Sequence, residues 1–360
     1  GEFEVSYAEH PYTKGVIRGH EVEIVPCIDT SPEDINSSVD RTPHHSRWVD
    51  QQLDREQRED VVLLKRFLSA QGLYGSSLKV RSFSGYLCEI LIAHSGDFRT
   101  LLKEAQDWTE GELLDPENHH PEGLPPKLEK KFSDEPLRVV DPVDPERNVA
   151  SVLSEDNYAR FIHRSWQFNS SPGLSQFEEE DIDVSRFEIE QEIKSRADFL
   201  VLEFEAPDAV DDVIYPQMRK VLGRLEDELT DRDFRIYDTG FYVGEKVRVY
   251  LEIDAELPEY TYRKGPRPYH GTEHMGEFTS KYGNTFVREG SLFAKVERDY
   301  TQARDFLLEF VSGDPEELRE KGVPGHVAEK LTSATIVEPV QDDQRWLKFL
   351  AEQLNVKQDE

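Results

Sequence analysis

The chain has few cysteines, few positive charges and no long hydrophobic run. Its two cysteines, Cys27 and Cys88, lie far apart, and its only paired histidines are at 44–45 and 119–120. These spacings give no disulfide framework and no finger-like metal site, so we expect both cysteines to be small core residues. The start of the chain has no signal-peptide pattern, and no apolar run approaches the about 20 residues of a membrane helix. We therefore expect a cytoplasmic protein.

The charge balance is strongly negative. The 360 residues include 74 acidic and 43 basic side chains, a net charge of −31 spread over the whole length. Amphipathic segments argue against disorder, and at 1 M salt the Debye length falls to about 3 Å, so a carboxylate surface no longer repels itself. The composition therefore predicts a halophilic protein. In molar salt, net charge does not exclude nucleic acid as a partner, and local basic clusters become the informative feature.

The first 28 residues predict two short strands, at 4–7 and 20–25, joined by a turn. In the second strand, Glu21 and Glu23 alternate with Val22, which places both carboxylates on one face of the sheet. Pro43 is expected to introduce a helical region.

Helical patterns follow. Apolar residues cover one half of a helix predicted over 58–71, Lys65 lies at the edge of that stripe, and Gly72 is placed where a helix stops. Residues 83–106 predict a second mainly helical unit.

The remainder of the chain changes in composition. The run at 169–186 is typical of a linker. Beyond it, helices and strands alternate as in an α/β sandwich, interrupted by an insertion at 258–290 that is rich in Tyr, Gly, Pro, Arg and Lys. The patterns together predict an α+β multidomain protein.

Six blocks carry a family resemblance, in this order over residues 7–150: YAEHPY, EVEIVPC, VDRTPHH, LLKRFLSAQGLYG, FSGYLCEIL and VVDPVDPERNVA. They closely resemble the archaeal-type (class I) CCA-adding enzymes, which are tRNA nucleotidyltransferases. From about residue 187 the match is sparser and rests on PDAVDDVIYPQ and on Gly265-Pro266.

The resemblance implies a domain organisation. Residues 1–43 would be the C-terminal part of a polymerase-β-like nucleotidyltransferase head, and 44–168 a helical, poly(A)-polymerase-like neck that binds the nucleotide. After the linker at 169–186, residues 187–360 would form an RNA-binding body that carries a tail insertion at 258–290.

The resemblance also implies the reaction. Such enzymes add CMP, CMP and AMP to the tRNA 3′ end from CTP and ATP without a template, and pyrophosphate leaves. This chemistry requires positioning and charge neutralisation, usually by two Mg²⁺ held by carboxylates. The tRNA would be held at its acceptor stem, 3′ end and elbow, and a homodimer is an open alternative.

The family's Gly-Ser turn and Asp-x-Asp strand, which supply its two principal metal ligands, have no counterpart here upstream of the matching blocks. The internal Asp181-Ile182-Asp183 is interpreted as a solvated acidic run. We therefore expect the isolated chain to bind tRNA but to add no nucleotide.

By the same resemblance, Glu23 matches the third carboxylate, a catalytic metal ligand; it could equally be a solvent-facing strand residue. His45, Lys65 and Tyr74 match the residues that contact the triphosphate of ATP or CTP. From pattern alone, His45 could be a capping or core histidine, Lys65 a helix residue that extends its ammonium into water, and Tyr74 a packing residue.

Arg147 matches an arginine that reads the incoming base. Its alternative role is an ion pair with Asp141 or Asp144. Both roles can hold, since an anchored guanidinium presents its donors more rigidly.

Two basic clusters are candidate RNA contacts. Lys79 and Arg81 form the smaller one, and Arg263, Lys264 and Arg267 lie among tyrosines in the insertion, a composition suited to phosphates and bases. A Tyr/Pro-rich surface loop is the alternative for the insertion. For the whole chain, the alternatives are a non-catalytic tRNA-binding or other RNA-binding protein, or another polymerase-β-like nucleotidyltransferase such as an oligoadenylate synthase or poly(A) polymerase.

Overall fold

The computed structural model describes residues 3–7, 11–31, 37–179 and 185–356. The chain divides into two compact units, 1–180 and 181–360. The acidic run Asp181-Ile182-Asp183 lies outside the described residues. Helices and several sheets occur together, which confirms the mixed α+β class, whereas the assignment of head, neck and body stays a prediction.

The elements of the first unit are, in chain order, β1 Phe3–Tyr7, β2 Pro11–Ile17, β3 His20–Ile24, α1 Ser38–Gln52, α2 Arg55–Ala70, α3 Gly85–Ser95, α4 Phe98–Ala105, β4 Glu112–Leu114, α5 Pro126–Lys131, β5 Leu137–Asp141, β6 Asp144–Asn148 and α6 Glu155–Ser170. A short 3-10 helix, Leu174–Phe177, follows α6.

The first sheet is an antiparallel meander in the order β1-β2-β3. The sequence predicted only its outer strands, because Pro11 and the central Lys14-Gly15 obscure the alternation of β2. The predicted common face of Glu21 and Glu23 is confirmed, since the ammonium of Lys14 lies 4.0 and 3.7 Å from their carboxylates.

Helix α1 begins earlier than expected. It starts at Ser38 and contains Pro43, so the predicted boundary at residues 43/44 falls inside a helix. Near its start the buried Asp40 accepts hydrogen bonds from the backbone N–H of Ile28 at 2.9 Å and from the Ser37 hydroxyl at 2.6 Å. These bonds connect the segment after β3 to the helix.

Helix α2 confirms the predicted stripe and stop. Its buried face packs into the helical core, and Gly72 follows the last turn with φ of +66°, a left-handed conformation that glycine adopts without strain. The ring of Phe177 lies 5.7 Å from that of Phe67 and 5.8 Å from that of Phe98. Residues 174–177, inside the predicted linker, therefore pack on the first unit.

A small sheet in the order β4-β5-β6 completes this unit. The loop between β4 and α5 carries His119 and His120, whose Nε2 atoms lie 3.0 Å from the carbonyl oxygens of Pro142 and Pro145. These paired histidines therefore fasten the β5–β6 turn, which carries Asp141.

The elements of the second unit are α7 Arg186–Ser195, β7 Asp198–Glu205, α8 Asp211–Asp231, β8 Ile236–Val243, β9 Lys246–Ile253, β10 Tyr260–Lys264, α9 Thr272–Lys281, β11 Thr285–Arg288, β12 Ser291–Glu297, α10 Ala303–Val311, α11 Pro315–Glu320, α12 Gly325–Leu331, β13 Thr335–Val337 and α13 Gln344–Gln353.

Its main sheet is antiparallel, in the order β13-β7-β9-β8. One face packs with α8, α10, α11 and α12 around a core that includes Met218 and Phe306, and the other packs with α7 and α13 around Trp346. Because both faces are covered, β7 and β9 are buried along most of their length, including the charged residues Glu203, Arg248 and Glu252.

The insertion at 258–290 does not fold by itself. Its strands β10 and β11 pair with opposite edges of β12, at Ser291–Glu297, in the order β10-β12-β11. Strand β12, which follows the insertion, is therefore the centre of this sheet. We refer to β10, β11, β12 and α9 as the tail.

Cys88 is buried, as predicted, but Cys27 is exposed and the prediction for it is wrong, because the segment after β3 is extended and uncovered. Within the described ranges, the structure contains no helix long and apolar enough to cross a membrane.

Candidate functional site

The N-terminus of α3 brings together two side chains predicted from sequence. Ser84 caps the helix by accepting a hydrogen bond from the N–H of Leu87 at 3.0 Å. At the first helical residue, Gly85, a Cβ atom would lie 3.3 Å from the Tyr74 hydroxyl and 3.5 Å from the Lys65 ammonium. A cation, a hydroxyl and the positive end of a helix thus converge, which is an arrangement suited to phosphate oxygens.

Lys65 is held as a cation. It extends from α2 and binds the carboxylate of Glu89 at 3.0 Å, with 28% of its side chain exposed. Burial alone would lower the pKa of Lys65, but the hydrogen bond and charge of Glu89 raise it above its usual value. The ammonium therefore stays protonated at neutral pH and keeps donors for an anion.

His45 lies beside the same helix end. Its ring stacks on Tyr86, the second residue of α3, with centroids 3.9 Å apart and planes at 19°. Its Nε2 lies 3.0 Å from Oδ2 of Asp141. The ring stack and this hydrogen bond fix the imidazole next to the first turn of α3, which Lys65 and Tyr74 also approach.

Arg147 reaches the same carboxylate. Its guanidinium donates to Asp141 at 2.7 Å, while 33% of its side chain stays exposed. This confirms the predicted ion pair with Asp141; the alternative with Asp144 is wrong, because Asp144 binds Arg41 at 3.1 Å.

Asp141 is fully buried. Burial alone would raise the pKa of its carboxyl, but His45, the N–H of Val143 and Arg147 together hold the pKa below its usual value. The carboxylate is therefore ionised at neutral pH and accepts hydrogen bonds only.

Contacts connect four predicted side chains to the first turn of α3: Lys65 and Tyr74 approach Gly85, His45 stacks on Tyr86, and Arg147 shares Asp141 with His45. Sequence reasoning missed Tyr86, which stacks on His45, and Glu89, which binds Lys65, although both stand in the block FSGYLCEIL. Their spacing of three residues on a helix that begins at Gly85 was the available signal.

Glu23 belongs to a different setting. It lies on β3 with about half of its side chain exposed, and its carboxylate is 3.7 Å from the Lys14 ammonium. Among the residues that the structure describes, no three His, Cys, Asp or Glu side chains group as metal ligands. Two exposed carboxylates, Glu21 and Glu23, that share one ammonium do not fit a divalent ion, which prefers several oxygen ligands.

The smaller basic cluster lies in the loop before α3. Lys79 is exposed and Arg81 is half-buried. Arg81 adopts φ of +52°, and its carbonyl accepts a hydrogen bond from the N–H of Ser154 at 3.0 Å. The backbone of this loop is thereby attached to the start of α6.

The tail sheet has one face of rings and cations. Lys295 lies 3.7 Å above the ring of Tyr260, and the Arg288 guanidinium lies 5.3 Å from the rings of both Tyr262 and Phe286. Strand register places all the following on that face, which we call the aromatic face: Tyr260, Tyr262, Lys264, Phe286, Arg288, Ser291, Phe293, Lys295 and Glu297.

The structure separates the three basic residues predicted in the insertion. Lys264 lies on the aromatic face, Arg263 lies on the opposite face, 3.9 Å from Asp233, and Arg267 is exposed beyond the end of β10. Sequence reasoning missed Arg288 and Lys295, whose alternation with apolar residues in TFVR and SLFAKVE was the available signal.

Comparisons with known proteins bear on both units. Residues 59–178 match the family model described as tRNA nucleotidyltransferase, second domain, and residues 196–338 match CCA-adding enzyme, C-terminal domain.

Three relatives are each named CCA-adding enzyme. The one from Methanocaldococcus jannaschii is 40% identical over 91% of this chain and 72% of its own length. The relative from Haloarcula marismortui is 37% identical over 84% of this chain and 68% of its own length. The relative from Methanothermobacter thermautotrophicus is 36% identical over 89% of this chain and 69% of its own length.

Proposed function

The chain belongs to the CCA-adding enzyme family, and from that premise we propose how its residues share the work of this tRNA nucleotidyltransferase. The enzyme adds CCA to tRNA, so tRNA is its partner and nucleotides are its substrates. Family membership also implies a divalent metal ion in general terms. We further propose that the metal ion is Mg²⁺, that the enzyme works in the cytoplasm and that it can form a homodimer.

The first proposal is that Lys65, Tyr74 and His45 bind the triphosphate of CTP or ATP. The observation that carries it is the convergence of the Lys65 ammonium and the Tyr74 hydroxyl on Gly85, at the N-terminus of α3. A triphosphate bears several negative charges; the Lys65 ammonium would offset part of that charge, and the Tyr74 hydroxyl would donate a hydrogen bond that helps to fix its position. Under this proposal residues 44–168 are the nucleotide-binding part of the enzyme.

The second proposal is that Arg147 selects the base. Its ion pair with the buried Asp141 fixes the guanidinium, and the exposed part of its side chain is left to face a ligand. Cytosine and adenine both present an acceptor next to an amino group, whereas uracil and guanine present a different order. A rigid donor would therefore admit the first two bases and exclude the other two.

Transfer joins the tRNA 3′ oxygen to the α-phosphorus of the nucleotide, and the bond to pyrophosphate breaks. Mg²⁺ would supply charge neutralisation and an activated 3′ hydroxyl, but the surroundings of Glu23, the residue that the sequence predicted as a ligand, do not fit it. The described residues do not complete such a site. Their own contribution is to hold the nucleotide.

The third proposal is that the aromatic face contacts tRNA, and that Lys79 and Arg81 border the path of its acceptor end. Rings that stack and cations that pair with phosphate are the usual components of RNA surfaces. In a chain of net charge −31, such a cationic surface stands out. The tRNA elbow is the part we assign to the tail, within an RNA-binding body at 187–360.

A binding experiment tests the first proposal. We expect Lys65→Gln to raise the Kd of CTP and ATP by about 10- to 150-fold, the value of a hydrogen bond to a charged group. Arg55→Gln is the matched control, because Arg55 lies on the same helix and pairs on the surface with Glu59. Equilibrium dialysis in the presence of tRNA that lacks CCA gives both values. Equal Kd values for Lys65→Gln and the control would refute the proposal.

A further inference from the structure

We propose that Asp141 is a positioning residue that couples triphosphate binding to base selection. This inference rests on the proposed function, because it takes His45 as a triphosphate contact and Arg147 as the reader of the base. Asp141 itself is fully buried and therefore does not contact the nucleotide. It acts through the two side chains that it holds.

One oxygen of Asp141 receives both groups. Oδ2 lies 3.0 Å from Nε2 of His45 and 2.7 Å from the guanidinium of Arg147. The two side chains come from α1 and β6, which are distant along the chain, and this atom sets their separation. A displacement of either one changes the best position of the oxygen and is passed to the other.

The other oxygen fixes the carboxylate against rotation. Oδ1 accepts the N–H of Val143 at 3.0 Å and the hydroxyl of Tyr86 at 3.3 Å. Burial and the charge of Asp141 raise the pKa of Tyr86, so its hydroxyl stays protonated and donates.

Tyr86 closes the arrangement. Its ring stacks on His45 while its hydroxyl binds the carboxylate that His45 also binds. His45, Tyr86 and Asp141 therefore form a closed set of contacts in which no side chain can turn alone. The place of Tyr86 at the second residue of α3 puts this set next to the helix end where the phosphates would lie.

A purely structural ion pair makes a different prediction. If Asp141 only stabilised the fold, its removal would lower stability and leave the preference among nucleotides unchanged. If it couples the two ligand-binding side chains, the effects of changing His45 and Arg147 depend on each other, and that dependence needs the carboxylate.

The decisive experiment is a double-mutant cycle on CTP binding by the whole chain with tRNA that lacks CCA. His45→Ala, Arg147→Ala and the double variant are compared with the parent. We expect the combined decrease in affinity to fall short of the product of the single decreases by about fivefold or more, because one change already releases the other side chain. If the decrease in affinity of the double variant equals the product of the two single decreases to within about twofold, the inference is wrong.

Asp141→Asn supplies the second arm. The amide keeps the shape of the side chain but removes its charge. We expect weaker binding of both CTP and ATP, by about tenfold, together with a smaller preference over UTP and GTP. In the Asp141→Asn background, the decreases in affinity caused by His45→Ala and Arg147→Ala should multiply. An Asn variant that keeps the parent's selectivity among the four nucleotides contradicts the inference.

A control separates selectivity from stability. Glu203 is a buried carboxylate of the second unit that binds Arg248 and Lys246. Glu203→Gln should lower thermal stability and leave nucleotide selectivity unchanged. If Asp141→Asn fails to fold, the cycle still decides, because all its variants retain Asp141.

The outcomes also distinguish the proposed function from the coupling. If neither His45→Ala nor Arg147→Ala changes CTP binding, the proposed function is wrong and the inference falls with it. If each weakens binding but their effects multiply, only the coupling through Asp141 is wrong.

Discussion

At Gly85 the missing side chain leaves room for Lys65 and Tyr74 to approach the same helix end. An added Cβ would lie 3.3 Å from the Tyr74 hydroxyl, tighter than most such contacts, and 3.5 Å from the Lys65 ammonium. The backbone of Gly85 is helical, so alanine there is favourable for the helix itself. Binding and stability should therefore respond in opposite directions.

We predict that Gly85→Ala weakens CTP and ATP binding about tenfold, because the donors are displaced, while stability stays equal or rises by up to about 1 kcal/mol. Gly223→Ala in α8 is the matched control, since a Cβ there meets no atom within 4 Å. It should share the increase in stability while its binding stays at the parent's level. Dialysis and thermal unfolding measure both quantities, and unchanged affinity in Gly85→Ala would count against the site.

Base selection is a second test at this scale. We predict that Arg147→Ala lowers the preference for CTP and ATP over UTP and GTP by about 1–3 kcal/mol, the value of a specific contact to a base edge. Competition binding among the four nucleotides measures it. Arg41→Ala, which removes the neighbouring pair with Asp144, should leave the preference in place; an equal change in both variants would contradict the assignment.

Asp141 gives a pH prediction. Its folded-state pKa lies below the usual value, so its ionised form stabilises the fold above about pH 4, and that contribution is lost as the pH falls through the lower folded pKa. The difference in unfolding free energy between the parent and Asp141→Asn should therefore be largest near neutrality and shrink in acid. Denaturant titrations between about pH 3 and 7, a range that spans the unfolded pKa, measure it. A difference that grows in acid would show that the pKa is not lowered.

At the scale of elements, the sequence predicts a helix or strand correctly where one local pattern dominates the segment. The apolar stripe of α2 and the stop at Gly72 are predicted correctly, because helix period and glycine both act locally. Strand β2 is missed, because Pro11 and Lys14-Gly15 obscure its alternation. Local pattern also does not predict the hydrogen bond of Tyr86 to Asp141, because these residues are 55 positions apart in the chain.

The tail illustrates the same point. The sequence groups Arg263, Lys264 and Arg267, but strand alternation sends neighbours to opposite faces. The pairing of β12 with β10 and β11 then adds Arg288 and Lys295 to the face that Lys264 occupies. An RNA surface assembled across three strands cannot be recognised from one insertion alone.

We predict that the double variant Arg288→Gln, Lys295→Gln weakens tRNA binding and lowers its logarithmic salt dependence by about 0.7–0.9 for each phosphate that is no longer neutralised. Arg263→Gln, on the opposite face beside Asp233, is the control and should change the slope less. Filter binding over a range of KCl concentrations gives affinity and slope together. If the control has the larger effect, the aromatic face is not the surface that binds tRNA.

At the scale of the whole molecule, the charge of −31 is the dominant feature. Repulsion among surface carboxylates destabilises the compact state at low ionic strength and is screened in salt. We predict that the melting temperature rises by about 5–10 °C between about 0.2 and 2 M KCl. Sucrose at matched osmolality, which screens no charge, should give a smaller rise. A melting temperature that is flat or falls in KCl would contradict the halophilic interpretation.

The central claim is that the N-terminus of α3 binds the triphosphate, and a crystal structure with CTP tests it most directly. We expect phosphate oxygens within hydrogen-bonding distance of the Lys65 ammonium, the Tyr74 hydroxyl and the His45 ring, with the base near Arg147. A nucleotide bound away from Gly85, or phosphates that contact none of these three side chains, would contradict it.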